Sequence, residues 1–136
     1  MNGTAKLSDF LPPWEVREPI DADWLRRYAA ASGDDNPLHI DPAIAVAAGF
    51  PGPIVPGMLL LGLCERAVRA WYEDATILRL AGRFLHPVVI PARLVVSGRV
   101  AQVADAGREV VLRMFIGTAG AAPSCVADAK LRPRVL

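Results

Sequence analysis

Residues 32–41 read "SGDDNPLHID", bringing three aspartates, an amide and one of the chain's 2 histidines into one short stretch. A carboxylate and an imidazole that converge on a small volume can hold and activate a water molecule, or carry protons to and from a carbon acid. Histidine suits that work because modest changes of surroundings move its charge through neutral pH. Asp34 and His39 are the pair that fits. Asn36, between them, can orient a bound water or substrate by hydrogen bonds, and Pro37 stiffens the loop. A plainer reading competes. Asp and Asn favour turns because their side chains bond nearby backbone; Asp41 is explained as a helix cap, Asp35 as a solvated residue, and a lone histidine beside apolar chain often serves structure. On residue types alone, connector and active site both stand.

If the substrate is an acyl thioester, the chemistry needs a further part, a donor for the carbonyl oxygen. Backbone N–H groups at a helix N-terminus are unsatisfied and electropositive. Gly57, at the head of an apolar stretch, has no side chain to keep a carbonyl away, and enolate charge would develop on that oxygen in the transition state.

These residues depend on the elements around them. Asp21 reads as the N-cap of "ADWLRRYAAAS", in which Trp24, Leu25 and Tyr28 share one face at helical spacing. Gly33 is a C-terminal stop that frees "DDNPLHI" to run as a loop. Asp41-Pro42 starts a second helix that closes at Gly49, with proline at its first position. "FPGPIVPG" (50–57) is a crossing rich in proline and glycine. The spacing then predicts a longer helix from Met58 to about Tyr72. Leu59, Leu60, Leu63, Cys64, Ala67, Val68 and Trp71 cover most of its surface, and Glu65, Arg66 and Arg69 supply the rest. A helix this apolar is wrapped by something. Four segments with β-branched residues in partial alternation follow, at 77–85, 92–103, 108–118 and 124–133, with "DAG" and "AGAA" as turns between them. Residues 1–13 read as an irregular lead-in, with a turn at "LPPW", and 14–20 as a short edge strand ending at Pro19. Helices followed by antiparallel strands argue for an α+β fold, one sheet curled over one central helix.

Composition narrows the function. A chain of 136 residues, 53% hydrophobic and 21% charged, reads as one globular domain over residues 1–136. A net charge of +1 without a basic block argues against nucleic acid as a partner. The longest apolar run, Ile54–Cys64, is broken by proline and glycine and is too short to span a bilayer. The N-terminus lacks the apolar block of a signal peptide. With 2 cysteines, neither a disulfide framework nor a zinc site is expected, and Cys64 reads as a buried free thiol. A soluble, cytoplasmic protein is the expectation.

"YAAASGDDNPLHID" followed by "GFPGPIVPGMLLLG" and "RFLHPVVIPARLVVSGRV" resembles the MaoC-like dehydratase family, which includes (R)-specific enoyl-CoA hydratases. The likeness runs in order from about Tyr28 to Val100. It implies the hot-dog fold, a curled antiparallel sheet around a long helix. It also implies hydration of 2-enoyl thioesters, or dehydration of (R)-3-hydroxyacyl thioesters, carried on coenzyme A or acyl carrier protein. Asp34 and His39 would be the catalytic pair, Asn36 the supporting amide, and Gly57 the oxyanion donor. No cofactor and no metal are implied, and the assembly would be a homodimer, with a heterodimer or higher oligomer as variants.

Two departures stand out. Many relatives carry histidine just before the helix-start glycine, where this chain has Pro56, which lacks an N–H and fixes φ. Glu65 stands where hydratase relatives often have a small residue lining the acyl pocket. It reads either as a substrate-binding carboxylate selecting a polar or short acyl group, or as an i,i+4 partner of Arg69 on an exposed strip. His86 reads as a turn or surface residue, and Lys130, Arg132 and Arg134 as cations flanking an edge strand. The rival functions are an acyl-CoA thioesterase and a non-catalytic acyl-binding subunit of a heterodimeric dehydratase. A cation held by Asp34, Asp35, His39 and Asp41 is a weaker alternative.

Overall fold

The computed structural model describes residues 5–134. Five strands form one antiparallel sheet in the order β1-β3-β4-β5-β2, comprising β1 (Phe10–Glu15), β2 (Thr76–Phe84), β3 (Leu94–Ala104), β4 (Glu109–Thr118) and β5 (Cys125–Arg132). The helices are α1 (Ala22–Ser32), α2 (Pro42–Ala47) and α3 (Gly57–Trp71). The sheet wraps α3, which is the hot-dog arrangement.

Burial alternates along β4, where Val110, Leu112, Met114 and Ile116 point inward. Cys125, Ala127, Ala129 and Leu131 do the same on β5. Against them α3 buries Leu59, Leu60, Leu63, Cys64, Ala67, Val68 and Trp71, the seven residues its pattern singled out. Each leucine so buried contributes about 1.5–3 kcal/mol. Trimming Leu63, which is 1% exposed, to alanine would cost about 2–5 kcal/mol. The far end of α3 is tied down by Trp71, whose indole N–H donates to the Pro12 carbonyl at 2.7 Å.

Two strand assignments need correction. The first strand is Phe10–Glu15, not 14–20, although it contains Pro12 and Pro13. It lies at the sheet edge, and its pairing with β3 skips from Leu11↔Gly98 to Trp14↔Val96, so the prolines sit at the irregularity where no ladder N–H is required. The chain then continues beside β3 through Val16 N–H to Leu94 O and the Ile20↔Ala92 bridge. Second, β5 is no edge; it lies between β4 and β2. Its cations are engaged by acids, Lys130 and Arg132 by Glu109 at 3.0 and 3.2 Å, and Arg134 by Asp74 at 3.7 Å. Residues 1–4 of the expected lead-in lie outside the described residues. Cys64 and Cys125 are free and buried. No described helix is long and apolar enough to cross a membrane.

Candidate active site

The loop that carries Asp34 and His39 is assembled by short polar side chains. Asp21 caps α1, accepting from Trp24 N–H at 2.9 Å. Gly33 ends the helix at φ 77°, a left-handed conformation that a residue with a Cβ adopts only at a cost. A relay of local turns follows. Ser32 Oγ accepts from Asp34 N–H at 3.1 Å, Asp34 Oδ1 from Asn36 N–H at 3.3 Å, and Asn36 Oδ1 from Leu38 N–H at 3.1 Å. The relay leads into a single 3-10 turn over Pro37–His39. Asp41 then caps α2, accepting from Ala43 and Ile44 N–H. The turn reading of this loop is thus observed, and Asp34 and Asn36 take part in it.

A second segment locks the imidazole. Ile54 N–H donates to Leu38 O at 3.1 Å, and Ile54 O lies 2.7 Å from His39 Nδ1. A carbonyl oxygen only accepts, so Nδ1 carries the proton and neutral His39 keeps its lone pair on Nε2. That Nε2 lies 3.8 Å from Asp34 Oδ2. The separation is too long for a direct hydrogen bond but lets one oxygen atom contact both groups. The His39 side chain is 13% exposed and that of Asp34 41%, so water reaches the pair from the aspartate side.

The same segment delivers the head of α3. Val55 N–H donates to Val88 O at 2.8 Å, and Ile90 N–H to Pro53 O at 3.1 Å. Pro56 caps α3 without a side-chain bond, and its carbonyl accepts from Leu59 and Leu60 N–H at 3.0 and 3.3 Å. The proline thus leaves the helix start regular. Gly57 N–H meets no acceptor among the described residues. A Cβ added to Gly57 would lie 2.9 Å from Cζ of Phe84, so the ring tip occupies the space a side chain would need.

His39, Ile54, Val55, Gly57, Leu60 and residues 84–88 line a cavity of about 320 Å³ that is open to solvent. His39 and Gly57 are thereby brought to one space, with Asp34 adjoining it through His39. Asn36, expected among the substrate-binding residues, is exposed, is not in the cavity wall, and has its carbonyl oxygen engaged in the turn. That oxygen helps to hold the turn that carries His39. Glu65 does not line the cavity either: two helical turns beyond Gly57, its carboxylate accepts from Arg69 at 2.9 and 3.2 Å on the outward strip of α3. Asp34, Asp35, His39 and Asp41 do not form a ligand cluster, and among the described residues no group of three or more His, Cys, Asp or Glu side chains is arranged to hold a metal ion. Phe84 and His86 were not legible as cavity residues, since they lie 27 and 29 positions after Gly57, with which they share the cavity wall.

Comparison with known proteins shows the family. A family model for the MaoC-like domain matches residues 12–115. Over 103 residues the chain is 36% identical to 3-hydroxyacyl-thioester dehydratase X of Mycobacterium tuberculosis, covering 76% of this chain and 35% of that protein. Over 81 residues it is 44% identical to enoyl-CoA hydratase ChsH3 of the same organism, covering 60% of this chain and 28% of that one. The chain thus spans about a third of the length of these curated relatives. Among solved structures, the (R)-hydratase from A. caviae involved in PHA biosynthesis superposes with a TM-score of 0.86 at 25% identity, over 96% of this chain and 98% of that one. With most of its length matched by the family model and its architecture shared with such a structure, the chain belongs to the MaoC-like dehydratase family.

Proposed function

We propose that this chain adds water reversibly across the 2,3-double bond of an enoyl thioester, giving the (R)-3-hydroxyacyl thioester of coenzyme A or acyl carrier protein. The observation that carries the reading is one cavity lined by both His39, with its Nε2 lone pair unspent, and Gly57, with its N–H unspent. A water oxygen held between Asp34 Oδ2 and His39 Nε2 attacks C3, and Nε2 accepts the proton it loses. The electron pair of the double bond moves toward the thioester oxygen, which Gly57 N–H stabilises. The protonated ring, beside the Asp34 carboxylate, then returns a proton to C2. One water is consumed and the residues end as they began; dehydration is the reverse. Delivery of both parts of water from one residue pair means addition to a single face. The names of two relatives, a 3-hydroxyacyl-thioester dehydratase and an enoyl-CoA hydratase, describe the two directions of this reaction.

We read residues 1–136 as one such domain, working as a homodimer. Strand β2 leaves a nine-residue edge unpaired, with Leu78 and Phe84 exposed on it; a second copy pairing there would cover a strand that is otherwise open to aggregation. A cytoplasmic location goes with this reading, supported by two cysteines that stay free. The deciding experiment follows loss of enoyl absorbance and release of free thiol in parallel. Hydration without thiol release is expected. Thiol release in place of hydration would make the chain a thioesterase, and neither signal, with substrate bound, would make it a non-catalytic binding subunit.

A further inference from the structure

His86 follows the end of β2, and nothing near it in sequence completes a site. The fold changes its setting, because His86 lines the same cavity of about 320 Å³ as His39 and Gly57. Its backbone is held on both sides. Leu85 and His86 N–H donate to Ser124 O at 2.8 and 3.3 Å, and Val88 O accepts from Val55 N–H at 2.8 Å. Pro87, next in the chain, has a restricted φ. The imidazole is therefore presented from a fixed bend. His86 is exposed, and among the described residues nothing hydrogen-bonds to its ring. His39 differs: its Nδ1 is engaged by Ile54.

An acyl thioester has two ends of different character. The inner wall of the cavity, with Val55, Leu60 and Val88 all buried, suits the acyl end. The carrier is far larger than the cavity and stays outside, so whatever stands at the mouth meets the arm that joins carrier to sulfur. Coenzyme A and acyl carrier protein share that arm, a pantetheine with two amides. A neutral imidazole offers one donor and one acceptor, the same pair that an amide presents in reverse. Exposed Phe84 and Leu85 flank His86 with apolar surface for the methylenes of the arm.

We propose that His86 is a substrate-binding residue at the cavity mouth, hydrogen-bonding an amide of the pantetheine arm and so recognising the carrier side of the thioester. The inference rests on the thioester reading above and adds to it the residue that holds the arm.

The test compares wild type, His86→Ala and His86→Asn on crotonyl thioesters of coenzyme A, acyl carrier protein, pantetheine and ethanethiol. Loss of one net hydrogen bond predicts a KM raised about tenfold in His86→Ala for the three arm-bearing substrates, with kcat nearly held. His86→Asn, which keeps a donor and an acceptor, recovers part of the loss. The ethyl thioester, with no amide, shows no change. An equal loss on the ethyl thioester, or no loss on any substrate, would overturn the proposal. So would a loss confined to coenzyme A, which would assign His86 to the nucleotide. Calorimetric binding of crotonyl-CoA separates this from the parent reading. Should wild type bind it without hydrating it, the hydratase reading falls and His86 is judged on the expected tenfold weaker binding of His86→Ala. Should wild type bind neither crotonyl-CoA nor crotonyl acyl carrier protein, both fall.

Discussion

Two acid–base pairs in this molecule look alike in sequence and differ in space. Asp34 and His39, five residues apart, stop at 3.8 Å from one another, and the histidine faces a cavity. Glu65 and Arg69, four apart on α3, close to 2.9 Å and spend their bonding on each other. Regular helix makes the second contact automatic, since i and i+4 side chains are neighbours. The first pair is held open by external anchors: Ile54 grips the far side of the imidazole, and the Ser32–Asp34–Asn36 relay fixes the carboxylate. A pair that does chemistry keeps lone pairs unspent, and its neighbours must hold it there.

The largest effects should come from closing or emptying the open pair. His39→Gln removes the proton-transfer group and Asp34→Asn the carboxylate that holds the water and steadies the protonated ring; loss of either lowers kcat by about 10²–10⁴-fold. Substrate binding, measured by calorimetry, should survive in both. Full activity in either variant would remove the pair from the mechanism.

Next in size is the proposed donor, Gly57, which shares the cavity wall with His39. Gly57→Ala would drive a methyl into the Phe84 ring. Phe84 is half-exposed and can swing aside, so the fold should persist while the cavity wall moves. A fall in kcat/KM of about tenfold to a hundredfold is expected, below the loss for outright removal of an oxyanion donor. The double-mutant cycle sharpens this: in Phe84→Ala the added methyl meets no ring, so Gly57→Ala should cost clearly less there than in the wild type. Additive losses would show that the glycine matters for another reason.

How far these parts were legible depends on how local their causes are. The Asp21 cap, the Gly33 stop, the Asp41-Pro42 start and all seven buried positions of α3 follow from short-range rules, and each stands where the pattern put it. The Asp34–His39 loop was legible as a candidate for the same reason. The errors share a non-local cause. Pro12 and Pro13 argue against a strand until one knows that the strand lies on an edge with a pairing irregularity. Strand β5 read as an edge because of its cations, yet β2 pairs along its outer side. His86 is exposed at a bend, as its sequence setting suggested, and its place in the cavity wall depends on contacts with Ser124 and the 54–57 segment that are distant in sequence. Asn36 was legible as part of the loop, and its carbonyl oxygen serves the turn that carries its neighbours.

A third charged group widens the contrast to pH. Glu109 is clamped by Lys130 and Arg132, whose hydrogen bonds lower its pKa from the ordinary 4.5. A folded-state pKa below the unfolded one gives stability that is present above 4.5 and is lost as pH falls through the lowered value. Wild type should therefore lose melting temperature on acidification more steeply than Glu109→Gln, in thermal scans between about pH 6 and pH 3. Enzyme rate near neutrality should be the same in both, because the clamp sits on the sheet, away from the cavity. Parallel acid curves for the two proteins would show that this closed cluster contributes no linkage.

The smallest effect belongs to the closed pair itself. Glu65 and Arg69 are about half-exposed, 42% and 54% for their side chains, so their attraction is screened and contributes only about 0.3–0.5 kcal/mol. Glu65→Ser should lower stability by no more than that and leave kcat/KM within about twofold for short, long and hydroxylated enoyl thioesters alike. The experiment discriminates between the two meanings of the residue. If the closed geometry holds in the working enzyme, the acyl profile of Glu65→Ser follows that of wild type, and Arg69→Ala behaves the same way. A shift of preference toward longer or less polar acyl groups in Glu65→Ser alone would mean that the carboxylate leaves Arg69 to meet substrate, and that the closed pair opens when the enzyme is at work.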